Sequence, residues 1–173
     1  MVELRLGDQV FLHDREATLA AYALLERGYA DICGCEGCRN FAAQRATVYP
    51  PDFLALLDRL GIDPLKEGEA VHYGGVPPGL HAYGGWFYFI GSLLTPGERL
   101  VEVKGGSFWV PAAHKTEERG FFYYVGTLTP QPPPSFLGKP VLALEFETRL
   151  PWVLAEPGKG PREKGVPGQT SLS

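Results

Sequence analysis

The fold is decided by one stretch of the chain, Leu80-His-Ala-Tyr-Gly-Gly-Trp-Phe-Tyr-Phe-Ile-Gly-Ser-Leu-Leu94. It is dense in aromatic residues and has no helical period, which predicts a long strand. A related stretch, Gly120-Phe-Phe-Tyr-Tyr-Val-Gly-Thr-Leu-Thr-Pro130, resembles its second half. Two copies are too few for a repeat protein. We therefore expect two core strands of one antiparallel sheet, each aromatic on both faces.

The segments before this strand are mostly helical, and those after it are extended. Asp14 is a plausible N-cap for a helix over 15–27, with Gly28 at its C-terminal end. Short helices are expected over 39–45 and 51–60, the second opened by prolines and ended by Gly61. Further strands are predicted at 2–6, around His72 and Tyr73, and at 100–110, 121–129 and 141–150. The fold class is therefore α+β, with an N-terminal helical part and a C-terminal antiparallel sheet.

Length and composition predict one domain with a separate tail. The chain has 173 residues, of which 45% are hydrophobic, and this length suits a single core. Residues 1–154 are interpreted as one α+β domain. Residues 155–173 are rich in Gly, Pro and Lys and carry no apolar period, which is typical of a tail. The tail is a possible surface for homo-oligomer formation.

Charge and hydropathy exclude several classes of function. The formal net charge is −4 and the Lys and Arg residues are scattered, so nucleic acid is not expected as a partner. The longest apolar run is far shorter than a spanning helix needs, so no membrane partner is expected. The N-terminus does not resemble a secretory signal, and a cytoplasmic location is predicted. Pro-rich loops and few thermolabile residues indicate a thermophilic source.

The one chemically unusual feature is the cluster Cys33-Gly-Cys35-Glu-Gly-Cys38. It places three soft donors in one turn, and the glycines allow the backbone to fold around an ion. Cys-x-x-Cys is a common half of a tetrahedral zinc site. Zinc is therefore the expected cofactor, with copper(I) second. The chain has no fourth cysteine, so an internal fourth ligand must be a histidine: His13, His72, His81 or His114.

Two other interpretations of the cluster stay open. A thiol at a helix start has a lowered pKa and can act in redox chemistry, although Glu36 opposes thiolate formation. Alternatively, the three cysteines are small residues of a turn, with or without a disulfide between Cys33 or Cys35 and Cys38. Thiols in the cytoplasm are mostly reduced, which favours metal binding over a disulfide framework.

A second candidate site lies in the long strand itself. His81, Tyr83 and Trp86 combine an imidazole, a phenol and an indole around a pair of glycines. Such a set is able to line a ligand pocket, and Tyr83 and Trp86 are its predicted ligand-binding residues; no small-molecule ligand is specified. Glu145 and Glu147 fall on one face of a later strand, which is more typical of a solvated sheet face than of acid–base chemistry.

Three motifs together resemble a family of bacterial proteins of unknown function. They are C-x-C-x-x-C-x-N-F at 33–41, Y-P-P-x-F-x-x-L-L-x-x-L-G-I-D at 49–63 and H-x-Y-G-G-W-F at 81–87. The resemblance extends from about residue 15 to residue 154. It implies no activity, but it suggests that the three cysteines, Asn40 and His81 belong to one motif set.

The leading hypothesis is a small metal-binding protein in which Cys33, Cys35, Cys38 and His81 hold zinc. The alternatives are a metal-free ligand-binding or protein-interaction domain with an aromatic pocket, and a thiol redox protein. Whether the protein is an enzyme is left open, and no catalytic residue is assigned.

Overall fold

The computed structural model describes residues 1–95, 98–103, 106–111, 114–115, 120–126 and 131–155. The first half holds a hairpin and four helices, and the second half is extended. In chain order the elements are β1 (Val2–Leu6), β2 (Gln9–His13), α1 (Arg15–Ala23), α2 (Tyr29–Cys33), α3 (Glu36–Val48), α4 (Pro51–Leu60), β3 (Glu69–Val76), β4 (Leu80–Leu93), β5 (Glu98–Val103), β6 (Gly106–Pro111), β7 (His114–Lys115), β8 (Phe122–Gly126), a short 3-10 helix (Pro134–Phe136) and β9 (Val141–Pro151).

The predicted long strand is β4, and the main sheet is built around it. The strand order is β1-β2-β4-β9-β8-β7, and β3 also pairs with the first half of β4. All of these pairs are antiparallel. The two aromatic strands β4 and β8 belong to one sheet, on either side of β9. The predicted α+β class is confirmed.

Aromatic side chains on one face of β4 join the sheet to the helices. Phe41 of α3 packs against Tyr83 with ring centroids 5.8 Å apart, and Phe53 of α4 lies 6.2 Å from Phe87. Phe146 of β9 lies among them and, like Phe41, Phe53 and Phe87, is almost completely buried. Burying such large rings supplies most of the driving force for docking helices on this face.

The first helix is shorter than predicted. Asp14 caps it as expected, because its side chain accepts a hydrogen bond from the backbone N–H of Ala17. The helix ends at Ala23 and not at 27, and Gly28 is extended, with φ −76°. Gly28 is needed for space and not for a left-handed turn, since a Cβ there would lie 2.6 Å from the carbonyl oxygen of Leu65.

The helix α2 was not predicted, and the two helices after it differ in how well they were predicted. The predicted segment 39–45 is the middle of α3, which runs for 13 residues from Glu36. Cys38 lies in its first turn, as expected. The helix at 51–60 is confirmed, and Gly61 ends it with φ 77° in the left-handed region.

Several strand boundaries also differ from the predictions. The single strand expected at 100–110 is a hairpin of β5 and β6, in which Val103 pairs with Gly106. The strand β2 was not predicted. The end of the strand expected at 121–129 and the tail from residue 156 lie outside the described residues. Within the described part of the chain, no helix has the length and apolar character needed to cross a membrane.

Candidate metal centre

The three cysteines lie on a tight turn between α2 and α3. Cys33 is the last residue of α2, and Gly34 follows in the left-handed region with φ 64°. This conformation reverses the chain at almost no steric cost because glycine has no Cβ. Cys35 is then the N-cap of α3, and Cys38 lies in the first turn of that helix. The three sulfur atoms all lie within 4.8 Å of one another.

The sulfurs differ in their surroundings. Cys33 and Cys35 are exposed, whereas Cys38 is buried. The backbone N–H of Cys38 donates to Sγ of Cys35 over 3.4 Å, so the thiol of Cys35 caps the helix. Sγ of Cys38 donates to the carbonyl oxygen of Ala70 in β3, 3.7 Å away. The cluster is therefore anchored to the sheet on one side and open to solvent on the other.

These surroundings change the acidity of two thiols in opposite directions. The pKa of Cys33 is lowered, chiefly because its sulfur accepts a hydrogen bond from the backbone N–H of Cys35. The pKa of Cys38 is raised, first by burial and then by its hydrogen bonds to the other two thiols. Without a metal, the negative charge is held more easily by Cys33 than by Cys38.

A cleft of about 940 Å³ opens in front of the sulfurs. One wall is the cysteine turn with Tyr29, Glu36 and Arg39, and the other is the edge of β3 from Glu69 to Gly74, with Trp152. Two carboxylates, Glu36 and Glu69, and one guanidinium, Arg39, line the cleft together with the three thiols. The two carboxylates outnumber the one cation, and the small excess of negative charge favours the approach of a cation.

Two histidines are paired beside the cleft. Nε2 of His72 lies 2.8 Å from Nδ1 of His81. Both rings pack against Trp152, with ring centroids 5.7 Å and 4.9 Å away. The pKa of His72 is lowered, first by burial and then by repulsion from His81. His72 lines the cleft, whereas His81 lies behind it.

Gly37 allows this wall to approach the cysteine turn. A Cβ on Gly37 would lie 2.6 Å from Cβ and 3.2 Å from Nδ1 of His72. A contact of 2.6 Å is essentially never seen for a real Cβ, so with any larger residue here α3, β3 or the side chain of His72 must shift. A β-bulge between His72 and Gly74 sets the local direction of the strand.

A buried amide holds the far side of the site. Asn40 is fully buried, and its Nδ2 donates to the hydroxyl of Tyr83 over 3.0 Å and to the carbonyl oxygen of Pro151 over 3.1 Å. Its Oδ1 accepts from the backbone N–H of Val153 over 2.8 Å. The hydroxyl of Tyr83 donates in turn to the carbonyl oxygen of Gly37. Asn40 thus fixes the chain on both sides of Trp152.

An ion-pair network fixes the helix that carries Cys33. Arg45 of α3 contacts Asp31 of α2 over 2.9 Å and the buried carboxylate of Glu67 over 2.8 Å. Glu67 also accepts a hydrogen bond from the backbone N–H of Ala30 over 2.9 Å. Burial raises the pKa of Glu67 despite the attraction of Arg45.

The structure brings three of the four predicted metal ligands together. No histidine or carboxylate of the described residues lies close enough to join the three sulfurs in one group. His81 contacts His72 instead. Among the other histidine candidates, His13 is buried in β2, and the side chain of His114 lies outside the described residues.

The predicted ligand-binding pair is divided between the two faces of the sheet. The pairing of β4 with β9 has no register shift from Leu80 to Ile90. Since side chains alternate along a strand, Tyr83 and Trp86 point to opposite faces. Tyr83 is buried and hydrogen-bonded to Asn40, so it supports the site from behind. Neither residue lines the cleft.

Glu145 and Glu147 share the face of β9 that is opposite to the helices. Glu147 is exposed, which fits the predicted solvated face. Glu145 is half-buried and accepts a hydrogen bond from the hydroxyl of Tyr124 over 2.7 Å. Burial raises the pKa of Glu145.

Sequence reasoning missed Trp152 and did not single out His72 or Gly37 among the residues it considered. His72 stood among the histidines considered as fourth ligand, but no spacing rule favoured it over His81. Gly37 was noted as part of the cysteine cluster. It was interpreted there as a residue that gives the backbone freedom, and its close approach to β3 was not predicted. Trp152 lies more than a hundred residues from the cysteines in sequence, and only the pairing of β9 with β4 brings it to the cleft.

The chain matches no protein-family model, no curated protein and no solved structure. The resemblance to a family of bacterial proteins therefore stays a prediction.

Proposed function

We propose that this protein binds one zinc ion through the thiolates of Cys33, Cys35 and Cys38. The observation that carries the proposal is that three sulfurs from six consecutive residues lie within 4.8 Å of one another. A Zn–S distance of about 2.3 Å in a tetrahedral site requires sulfurs about 3.8 Å apart. Binding therefore needs the turn to close by no more than about 1 Å.

The position of the turn supports metal thiolates in three ways. The N-terminus of α3 carries the positive end of the helix dipole, which stabilises negative sulfur at Cys35 and Cys38. Cys33 and Cys35 are exposed and can rotate toward an ion. Cys38 is buried in the first turn of α3, so packing fixes its position, although its S–H bond to the carbonyl oxygen of Ala70 is given up when the thiol is deprotonated.

The donor chemistry favours zinc over the alternatives. Three thiolates select soft or borderline metals, which excludes magnesium and calcium. Iron–sulfur clusters generally use four cysteines, and the chain has only three. Copper(I) accepts three sulfurs and is the competing metal.

The remaining expectations fit this proposal. Free thiols that bind a metal need a reducing compartment, which supports a cytoplasmic location. A scattered basic charge supports the absence of a nucleic-acid partner. The site is structural if a fourth protein ligand closes it, and it is open to a small molecule in the cleft if one position stays free.

Zinc titration against a chromogenic chelator tests the proposal. We expect one zinc per chain, and we expect Cys33→Ser, Cys35→Ser and Cys38→Ser each to weaken binding by at least about a hundredfold. Cys33 and Cys35 are exposed, so their serine variants should keep the metal-free stability of the parent and serve as folded controls. Parent-like zinc affinity in all three variants contradicts the proposal.

A second candidate function is thiol redox chemistry. It is favoured by one observation, the opposite pKa shifts of neighbouring thiols at Cys33 and Cys38. In thiol–disulfide exchange the two thiols would form a disulfide with sulfurs about 2.05 Å apart, and a small-molecule disulfide would take up the two electrons and two protons and leave as two thiols. A disulfide that forms and reduces reversibly in protein free of metal, together with the absence of zinc binding, would favour this function.

A further inference from the structure

We propose that His72 supplies the fourth ligand of the metal and that His81 holds the imidazole of His72 in place. The inference rests on the proposed zinc site. It differs from the expectation drawn from the sequence, in which His81 is itself the ligand.

The cleft distinguishes the two histidines. His72 lies in its wall, opposite the cysteine turn, and His81 does not line it. Nδ1 of His72 is on the side of the ring near the turn, 3.2 Å from where a Cβ on Gly37 would be. Gly37 lies between Cys35 and Cys38, so this nitrogen lies beside the loop that carries the sulfurs.

The other nitrogen of His72 already has a partner suited to a metal ligand. Nε2 lies 2.8 Å from Nδ1 of His81. Histidines that bind metals donate their second N–H to a neighbouring acceptor, which fixes the tautomer and the orientation of the ring. When Nε2 of His72 donates to His81, Nδ1 of His72 carries a lone pair and is ready to bind.

The packing of the rings agrees with these roles. His72 stacks on Tyr83 with centroids 4.8 Å apart, and His81 packs on Trp152. His81 is therefore held between His72 and an indole, and it would have to leave both contacts to reach the sulfurs. His72 already lines the cleft that holds the three cysteines.

Among the His, Cys, Asp and Glu side chains of the described residues, only the three cysteines form a group whose ligand atoms lie within 4.8 Å of one another. Metal binding by this set therefore requires His72 and the cysteine turn to approach each other. Cys33 and Cys35 are exposed, and open space surrounds Gly34. Closure gives a Cys₃His set, which is typical of structural zinc sites, and ties the α2–α3 turn to β3.

Cobalt(II) spectroscopy and zinc competition on the full chain test the inference. We expect His72→Ala to weaken zinc binding by about a hundredfold and to shift the visible d–d bands of bound cobalt, because one nitrogen ligand is lost. We expect His81→Gln to weaken binding by about tenfold with little change in the bands, as for a residue that orients a ligand. Tyr73→Phe, on the same strand and in the same cleft, should match the parent.

The possible results separate this inference from the proposed function. Parent-like bands and affinity in His72→Ala, with loss in the cysteine variants, would overturn the role of His72 and leave the zinc site standing. Lost nitrogen ligation in His81→Gln and not in His72→Ala would assign the ligand to His81. A parent protein that binds neither cobalt nor zinc overturns both proposals. Urea midpoints of the metal-free variants establish that each one folds.

Discussion

Gly37 and His72 are in such close contact that a methyl group on the glycine would lie 2.6 Å from Cβ of the histidine. The contact joins the first turn of α3 to β3 at a position that lies between Cys35 and Cys38 in the sequence. The two walls of the cleft can come this close because Gly37 has no side chain. This close approach makes Gly37 the position at which packing and metal binding are coupled.

Gly37→Ala should disturb both stability and metal binding. The added carbon must displace α3 or β3, and overpacking of this kind costs about 1–3 kcal/mol of the free energy of unfolding. Zinc affinity should fall as well, because Cys38 moves with the helix. Urea denaturation and zinc competition measure the two effects.

Gly34→Asn is the matched control for that substitution. Gly34 lies in the same turn but has open space around it, and asparagine tolerates its left-handed φ better than other residues do. It should change stability by less than Gly37→Ala. A larger loss in Gly34→Asn than in Gly37→Ala would show that backbone conformation, and not close packing, limits the turn.

Asn40→Ala should lower the free energy of unfolding, because Asn40 is a fully buried polar side chain with several hydrogen bonds. The substitution removes the amide that accepts from the Val153 N–H and donates to Tyr83 and Pro151. Tyr83 keeps its hydrogen bond to Gly37 and Pro151 keeps the one from Gln44, so the cost is the loss of the Asn40 hydrogen bonds, each worth about 0.5–1.5 kcal/mol. Thermal and urea unfolding measure the loss.

Gln44→Ala offers a comparison on the same helix. Its Nε2 donates to the same carbonyl oxygen of Pro151, 2.9 Å away, but at an exposed position. The loss should stay below about 1 kcal/mol, since water can replace the donor. Equal losses of the free energy of unfolding in the two variants would contradict the conclusion that the buried hydrogen bonds of Asn40 hold the chain around Trp152.

Glu67 should make the protein less stable as the pH rises. The pKa of its carboxyl in the folded state is above the ordinary value of 4.5, so the folded state binds more protons than the unfolded state just above that pH. The contribution of Glu67 to the free energy of unfolding therefore falls as the pH rises from about 4.5 through the folded pKa, whereas His13 and His72, whose pKa values are lowered, contribute in the opposite direction. Glu67→Gln should reduce this slope without abolishing it, because Glu145 is shifted in the same direction.

Unfolding curves at a series of pH values between about 4 and 8 measure that slope. Asp31→Asn is the control, since it removes the other carboxylate that contacts Arg45 and leaves Glu67 in place. It should keep the slope of the parent. An unchanged slope in Glu67→Gln would mean that the buried carboxyl is not the source.

Alkylation of the metal-free protein should label the three thiols in a fixed order. Cys33 is exposed and its pKa is lowered, so a larger share of its sulfur is thiolate, the form that reacts. Cys38 is buried and its pKa is raised, so it should react last. Time-resolved iodoacetamide labelling with peptide mass spectrometry gives the order. Labelling of Cys38 before Cys33 would contradict it.

Sequence patterns were most informative where local rules decide the structure. The aromatic strand, the cap at Asp14 and the proline-opened α4 depend on residues close in sequence, and all three were predicted. The cysteine cluster was predicted for the same reason, since its donors lie within six positions.

The rest of the site depends on contacts between distant parts of the chain. The partners of His72 come from α3, β4 and the end of β9, and no local pattern indicates which histidine faces the thiols. Tyr83 and Trp86 are close in sequence, but the alternation of β4 separates them. Gly28 follows a helical pattern and was therefore predicted to end a helix. Its actual role, a close contact with Leu65, is formed only in the tertiary structure and leaves no local pattern.

The metal content of protein purified without added metal tests the central claim most directly. Elemental analysis should find about one equivalent of zinc per chain, and thiol titration should find the cysteines protected until a chelator removes it. Less than about a tenth of an equivalent of any transition metal, with all three thiols titrating freely, would contradict the account.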